Sequence, residues 1–211
     1  MNPARCFSVV NRCSSYVSSR SMKIYTRTGD KGKTSTYTGK RLPKDDVIFG
    51  ALGAVDTLSS HIGLSRVHCQ QDDILQDLKS IQCNLQDLGS VIATPRASAT
   101  PQQLENISFS TEHISNLESK IDAYTGHLPP LTNFILPSGS ECSAHLHVTR
   151  TFARAAERSI VPLLEQHGGD IDAVFKYLNR LSDYLFTAAR YCSHHDGIPE
   201  EIYTKQTLGD S

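Results

Sequence analysis

Apolar residues recur at steps of three and four along most of this chain. After Pro43 and the capping pair Asp45-Asp46, Ile48, Leu52, Val55, Leu58 and Ile62 line one side of a predicted helix that reaches Val67, because side chains three and four apart share a helix face. Ile74, Leu78, Ile81, Leu85, Leu88 and Ile92 predict a second amphipathic helix behind Asp72-Asp73. Pro95 and Pro101 mark a surface connection, Ser110 to Tyr124 reads as a third helix, and Gly126, Pro129, Pro130, Pro137 and Gly139 enforce a long, constrained loop. A fourth helix is expected from about Ser140 to Gln166, bent where Pro162 removes a backbone donor. Gly168-Gly169 ends it, and Val174, Leu178, Leu181, Leu185 and Ala188 carry a fifth from Asp170 to about His194. No internal repeat occurs, and no strand-like alternation extends beyond the start at Lys23 to Thr26. The pattern predicts an all-α, antiparallel bundle of five helices in one domain.

Length and charge narrow the partners. The chain has 211 residues, enough for one domain with a real core. A formal net charge of -1 argues against a protein that coats nucleic acid. No apolar run approaches the length expected of a membrane span, so small molecules and protein are the expected partners. Cys6, Cys13, Cys69, Cys83, Cys142 and Cys192 are scattered without CxxC or other metal-ligand spacing, and read as free thiols of a reducing compartment. Residues 1–22 hold Arg5, Arg12 and Arg20, six serines and no acidic residue, the composition of a mitochondrial transit peptide. They precede a domain over 23–205 and a short tail over 206–211.

The stretch Thr26 to Lys40, TRTGDKGKTSTYTGK, has the glycines and the Gly-Lys-Thr of a phosphate loop at the wrong spacing. A Walker loop places four residues between its glycines and starts a helix at once. Here two residues separate Gly29 from Gly32, and polar and aromatic residues alternate up to Pro43. What remains is a set of hydroxyls (Thr26, Thr28, Thr34, Ser35, Thr36) among Gly29, Gly32, Arg27, Lys31 and Lys33, a chemistry suited to polyanions. The fourth predicted helix puts Arg150, Arg154, Glu157 and Arg158 on one stripe, and the fifth puts Asn179, Asp183 and Arg190 beside its apolar seam. Polar groups at a seam need partners or a ligand.

In this order and at these intervals, YTRTGDKGKTS, RLPKDD, GAVDTLSSHIG, FILPSGS, LHVTR, RAAER and YLNRLSDYLF resemble the PduO-type ATP:cob(I)alamin adenosyltransferases, and among them the mitochondrial enzymes of animals. The resemblance spans about Lys23 to Lys205. It implies a five-helix bundle that assembles as a homotrimer, with ATP and cobalamin bound where subunits meet. The reaction it implies transfers the 5′-deoxyadenosyl group of ATP to Co(I) and releases inorganic triphosphate, with Mg2+ sharing the phosphate charge. By the same resemblance ATP falls to Thr26, Arg27, Thr28, Gly29, Thr34, Ser35, Lys44, Arg154, Ala155, Ala156, Glu157, Arg158 and Asn179. Cobalamin falls to Phe134, His147 and Asp183. Phe134 matches a phenylalanine that replaces the lower ligand of cobalt, and Asp56 matches an acidic residue paired across the interface with an arginine, here Arg150. Arg154, Phe134, Asp56 and Arg150 are thus the expected catalytic set. A cobalamin reductase and an adenosylcobalamin-dependent mutase are the implied protein partners, in the mitochondrial matrix.

Two positions depart from the pattern. Thr57 stands where many relatives have glutamate, and Ala155 where they have a second arginine, which keeps open the alternative of a weakly active or non-catalytic escort that delivers adenosylcobalamin. His145 and His147, two apart on a helix, point about 200° from one another and do not form one site. His194-His195 beside Cys192 reads as a solvated helix end.

Overall fold

Asp46 begins the first long helix by accepting a hydrogen bond from the Ile48 N–H at 3.0 Å, which satisfies one of the donors a helix start leaves open. The computed structural model describes residue 25 and residues 27–105, 107–167 and 170–206. The expected transit segment 1–22, Thr26 and residues 207–211 lie outside the described residues. Within them, α1 spans Val47–His68, α2 Asp72–Ile92, α3 Pro101–Glu105, α4 Glu112–Thr125, α5 Glu141–His167 and α6 Asp170–His195. The four long helices and α4 sit within two residues of their predicted bounds, and α5 runs through Pro162 as one helix.

α5 lies between α1 and α6, α2 packs on α1 and α6, and α4 covers α6. A short connection at 69–71 makes α1 and α2 antiparallel neighbours, and α5 and α6, consecutive in the chain, pack along one another, as in an up-down bundle. Leu58, Ile62, Ile74, Leu78, Leu85, Leu88, Leu146, Ile160, Leu178 and Leu185 are fully or almost fully buried in one core. Each such side chain contributes about 1.5–3 kcal/mol by leaving water.

Three features differ from the pattern-based expectation. α3 interrupts the segment read as a surface connection, because Thr100 and Gln103 cap it reciprocally: Thr100 Oγ1 accepts from the Gln103 N–H at 3.3 Å and Gln103 Oε1 accepts from the Thr100 N–H at 2.9 Å. Pro101 then occupies the first helical position, where its missing N–H costs nothing. The polar stretch after Gly32 is an antiparallel hairpin, β1 (Lys33–Ser35) with β2 (Arg41–Pro43), in the register Thr34 opposite Leu42. Its loop closes through Gly39 at φ 84, a backbone that favours glycine. Finally, α1 contains a window of mean hydropathy 1.4, long and apolar enough by length and composition to cross a membrane. Asp56, Ser59, Ser60 and His61 obscure this in a reading by eye. Its Ile48, Ala51, Val55, Leu58 and Ile62 nevertheless face the bundle core.

Candidate active site

The residues singled out by sequence gather in three places. The first is the segment from Arg27 to Lys44. Gly32 turns the chain at φ 71, its N–H donating to the Gly29 carbonyl at 3.2 Å, and the Lys44 N–H returns to the Gly32 carbonyl at 2.9 Å. Arg41 ties the segment together by donating to the carbonyls of Thr28 (2.7 Å) and Lys33 (3.2 Å). A Cβ on Gly29 would stand 3.2 Å from Lys44 Nζ, so the glycine makes room for the lysine. Arg27 adopts φ 57 and stacks over Tyr25 at 5.5 Å. Ser35 and Lys44 are exposed and Thr34 is half-buried, so hydroxyls and cations face outward from a braced turn. The hairpin is fastened to the end of α2 by the Tyr37 N–H on the Ala93 carbonyl (2.9 Å) and to the short helical turn Arg96–Ser98 beyond it by Thr38 Oγ1 on Ser98 Oγ (3.0 Å).

The second place is the outer face of α5 and α6. Arg154 and Arg158 are exposed and Glu157 is half-buried. Asn179 on α6 donates to Glu157 Oε1 at 2.8 Å and so locks the one carboxylate of the stripe. Arg150 has a buried Nε without a hydrogen-bond partner among the described residues and lies 6.0 Å from the Phe186 ring. Burial, and then the nearby Arg154, lower its pKa. Crowded guanidiniums with their only carboxylate engaged make a face that seeks an anion. Ala155 is half-buried, and Ala156 is fully buried among core side chains. The Ala156 side chain therefore faces the bundle interior and not this face. Asp183 is exposed and held by Arg180 at 2.7 Å, which also binds Glu118 on α4.

The third place is the loop before α5. Its residues 134–136 pair with the segment that follows α6: the Leu136 N–H donates to the Glu201 carbonyl at 2.7 Å, the Tyr203 N–H to the Phe134 carbonyl at 2.8 Å, and Ile135 bridges Ile202. Gly139, at φ 102, passes so close to α6 that a Cβ would clash with Ser193 Oγ. Phe134 is 86% exposed, and Leu131, Ile202 and Tyr203 around it are exposed too. A cleft of about 290 Å³ lies alongside, lined by Pro129, Asn133, Ile135, His194 and Ile202 among others. Beneath the loop His147 is buried, its Nδ1 without a partner among the described residues. Burial, and then Arg150, push its pKa down to about 4.

A sequence profile of the cobalamin adenosyltransferase family matches residues 24–192. The chain belongs to that family. It is 51% identical over 191 residues to the corrinoid adenosyltransferase MMAB of Bos taurus, covering 89% of this chain and 78% of the relative. The corrinoid adenosyltransferase of Bacillus subtilis is 38% identical over 191 residues, covering 89% and 95%. A variant PduO-type ATP:corrinoid adenosyltransferase from Lactobacillus reuteri, complexed with cobalamin and ATP, superposes with a TM-score of 0.79 at 37% identity, covering 86% of this chain and 96% of that one.

Within this family frame, sequence reasoning missed three things. Arg190, grouped by spacing with Asn179 and Asp183, is buried and bound to Glu200 and to the Pro129 carbonyl. It braces the loop before α5 from within instead of joining the outward stripe. The strap 198–203 that carries Glu200 lies beyond α6, where no periodicity draws attention to it. The cysteines read as scattered converge: the sulfurs of Cys69, Cys142 and Cys192 lie within 4.8 Å of one another. His145 and His147 do diverge, as their spacing requires: His145 stacks on His68 at 4.3 Å while His147 meets Phe186.

Proposed function

We propose that this chain transfers the 5′-deoxyadenosyl group of ATP to the cobalt of reduced cobalamin, giving adenosylcobalamin and inorganic triphosphate. The observation that carries the reading is the pairing, on one family member, of a braced hydroxyl and cation turn with the crowded Arg150–Arg154–Arg158 face. Both are built for a polyphosphate. The hairpin is docked on α2 and the arginines stand on α5, so the two halves meet most readily between subunits of a homotrimer. Asp56, exposed on α1 in the lining of a groove that Tyr37 also lines, is the residue that would meet Arg150 of a second copy.

Co(I) is itself the nucleophile, so no protein base is needed. It donates its electron pair to C5′, the C5′–O bond breaks, and the triphosphate leaves with that bond's electrons. The protein's tasks are to hold C5′ in line, to stabilise charge on the leaving group and to keep water out. Arg154, Arg158, Lys44 and the Thr28–Ser35 turn take the phosphates. Their donors and cations fit phosphate oxygens and offer no free carboxylate pair, so Mg2+ would arrive on the nucleotide. Phe134 would cover the lower face of cobalt, and His147 and Asp183 would line the corrin side. Thr57 donates its hydroxyl to the Gly53 carbonyl at 2.9 Å and is satisfied within its own helix. The arginine- and serine-rich 1–22 segment supports import into mitochondria, where a reductase would supply Co(I) and a mutase would take the product.

Incubation with ATP, Mg2+ and chemically reduced cobalamin tests the reading. It requires the cobalt–carbon spectrum and one triphosphate per cobalamin. Cobalamin binding without alkylation would instead identify the escort.

A further inference from the structure

Buried cysteines commonly act as small apolar fillers. At one end of this bundle three of them, from three different elements, point at a common centre. Cys69 ends α1, Cys142 lies in the first turn of α5 and Cys192 in the last turn of α6. They are 7%, 2% and 0% exposed, and all three sulfurs lie within 4.8 Å of one another. Cys142 and Cys192 are 3.7 Å apart. That is the edge of a tetrahedron with metal–sulfur bonds of about 2.3 Å, which is about 3.8 Å, and it is far from a disulfide of about 2.05 Å.

A fourth donor is present. Gln71 Oε1 accepts from the Cys69 thiol at 3.4 Å, close to the separation of about 3.6 Å that a zinc-bound sulfur and oxygen would have. Gln71 is itself buried, and its Nε2 donates to Asp196 Oδ1 at 2.9 Å. That bond turns the amide so that its oxygen faces the Cys69 sulfur, the orienting role that outer partners play at metal sites.

We propose that Cys69, Cys142 and Cys192, with Gln71 Oε1, form a structural site for a thiophilic d10 cation, zinc(II), separate from the adenosyl-transfer site. Binding replaces the thiol protons with metal–sulfur bonds and releases those protons to solvent. The ion would tie the ends of α1, α5 and α6 together. It would also steady the strap 198–203, which starts just beyond α6 and pairs with the Phe134 loop.

The test uses the full chain with Cys6, Cys13 and Cys83 replaced by serine, so that only the three clustered thiols remain. Purified under reducing conditions from zinc-supplied cells, it is expected to carry one zinc per chain by native mass spectrometry. Exchange with cadmium should produce sulfur-to-metal charge-transfer absorbance, which excess zinc should abolish. Cys192→Ser should remove one of the three sulfur contributions and lower Tm only in the metal-loaded protein. His68→Ala and His145→Ala, beside the cluster but outside it, should leave the signal unchanged. Should Cys192→Ser fail to fold, the metal content and cadmium spectrum of the parent chain decide alone. Metal-free chains with three titratable thiols, a Cys142–Cys192 disulfide, or a cadmium signal lost in His145→Ala would each overturn the proposal.

Discussion

The Phe134 carbonyl accepts a hydrogen bond from the Tyr203 N–H at 2.8 Å while its ring stands 86% exposed. Backbone and side chain therefore have separate duties: one fastens the loop to the strap, the other is free to meet a ligand. Phe134→Ala keeps the fastening and should leave stability and ATP affinity unchanged. Adenosylation that starts from Co(II) should fall, because the ring is proposed to cover the lower face of cobalt, where it would ease reduction. Reactions started with free, chemically prepared Co(I) should hide most of the defect. Equal losses from both starting states, measured by cobalt–carbon absorbance, would remove that role.

The long helices were legible because each buries one continuous apolar stripe. Ile74, Leu78, Ile81, Leu85, Leu88 and Ile92 are all buried, as their spacing requires. The helix at 101–105 is too short to show a period, and only its Thr100–Gln103 capping box announces it. The hairpin at 33–43 hid among hydroxyl residues whose alternation carries no hydrophobic contrast. At the candidate site, Asn179 stands out by its place beside an apolar seam, whereas Arg154, on an ordinary-looking charged stripe, is singled out only by the family resemblance. The Arg190–Glu200 pair and the three-cysteine cluster could not be found, since each joins positions that only the folded chain brings together.

His147 gives the protein a definite pH response. Its pKa falls from the usual 6.5 to about 4 through burial and the neighbouring Arg150. Between those values the unfolded chain is protonated at this residue and the native chain is not. The unfolded state therefore binds more protons, and stability decreases as pH falls through that window. The contribution, complete above about pH 6.5, is on the order of 3 kcal/mol and is gone below about pH 4. Chemical unfolding at stepped pH should show this loss, and His147→Gln should flatten the slope.

Asp77 is the polar keystone beneath α4. It is 6% exposed and accepts from Tyr124 (2.8 Å), Tyr184 (3.1 Å) and Lys120. Asp77→Ala strands two buried hydroxyls and an ammonium, and should cost about 3–5 kcal/mol in urea unfolding. Asp77→Asn keeps an acceptor and should cost less. A cost below about 1 kcal/mol for the alanine variant would show that water replaces the carboxylate.

Asp56 tests the assembly. In Asp56→Asn the chain's fold should be unchanged, since the residue is exposed on α1. In the proposed homotrimer, dissociation followed by analytical ultracentrifugation should shift to higher protein concentration, with activity falling in parallel, because Arg150 of the neighbouring copy would lose its charge partner. Unchanged assembly together with unchanged activity would refute the pair.

The arginine face of α5 is proposed to hold the departing triphosphate, and Arg154 is an exposed fork on it. Removing charge-assisted hydrogen bonds of roughly 1.5–3 kcal/mol each should lower kcat/KM for ATP by about ten-fold to a hundred-fold per lost bond. Arg154→Lys should recover only part, because an ammonium restores charge without the planar fork. The most direct measurement is the single-turnover rate of cobalt–carbon bond formation from preformed Co(I), compared between wild type and Arg154→Ala at saturating and subsaturating ATP. Arg154→Ala should lose at least about ten-fold in kcat/KM for ATP with the fold intact. A wild-type rate in Arg154→Ala would contradict it and take the α5 stripe out of the active site.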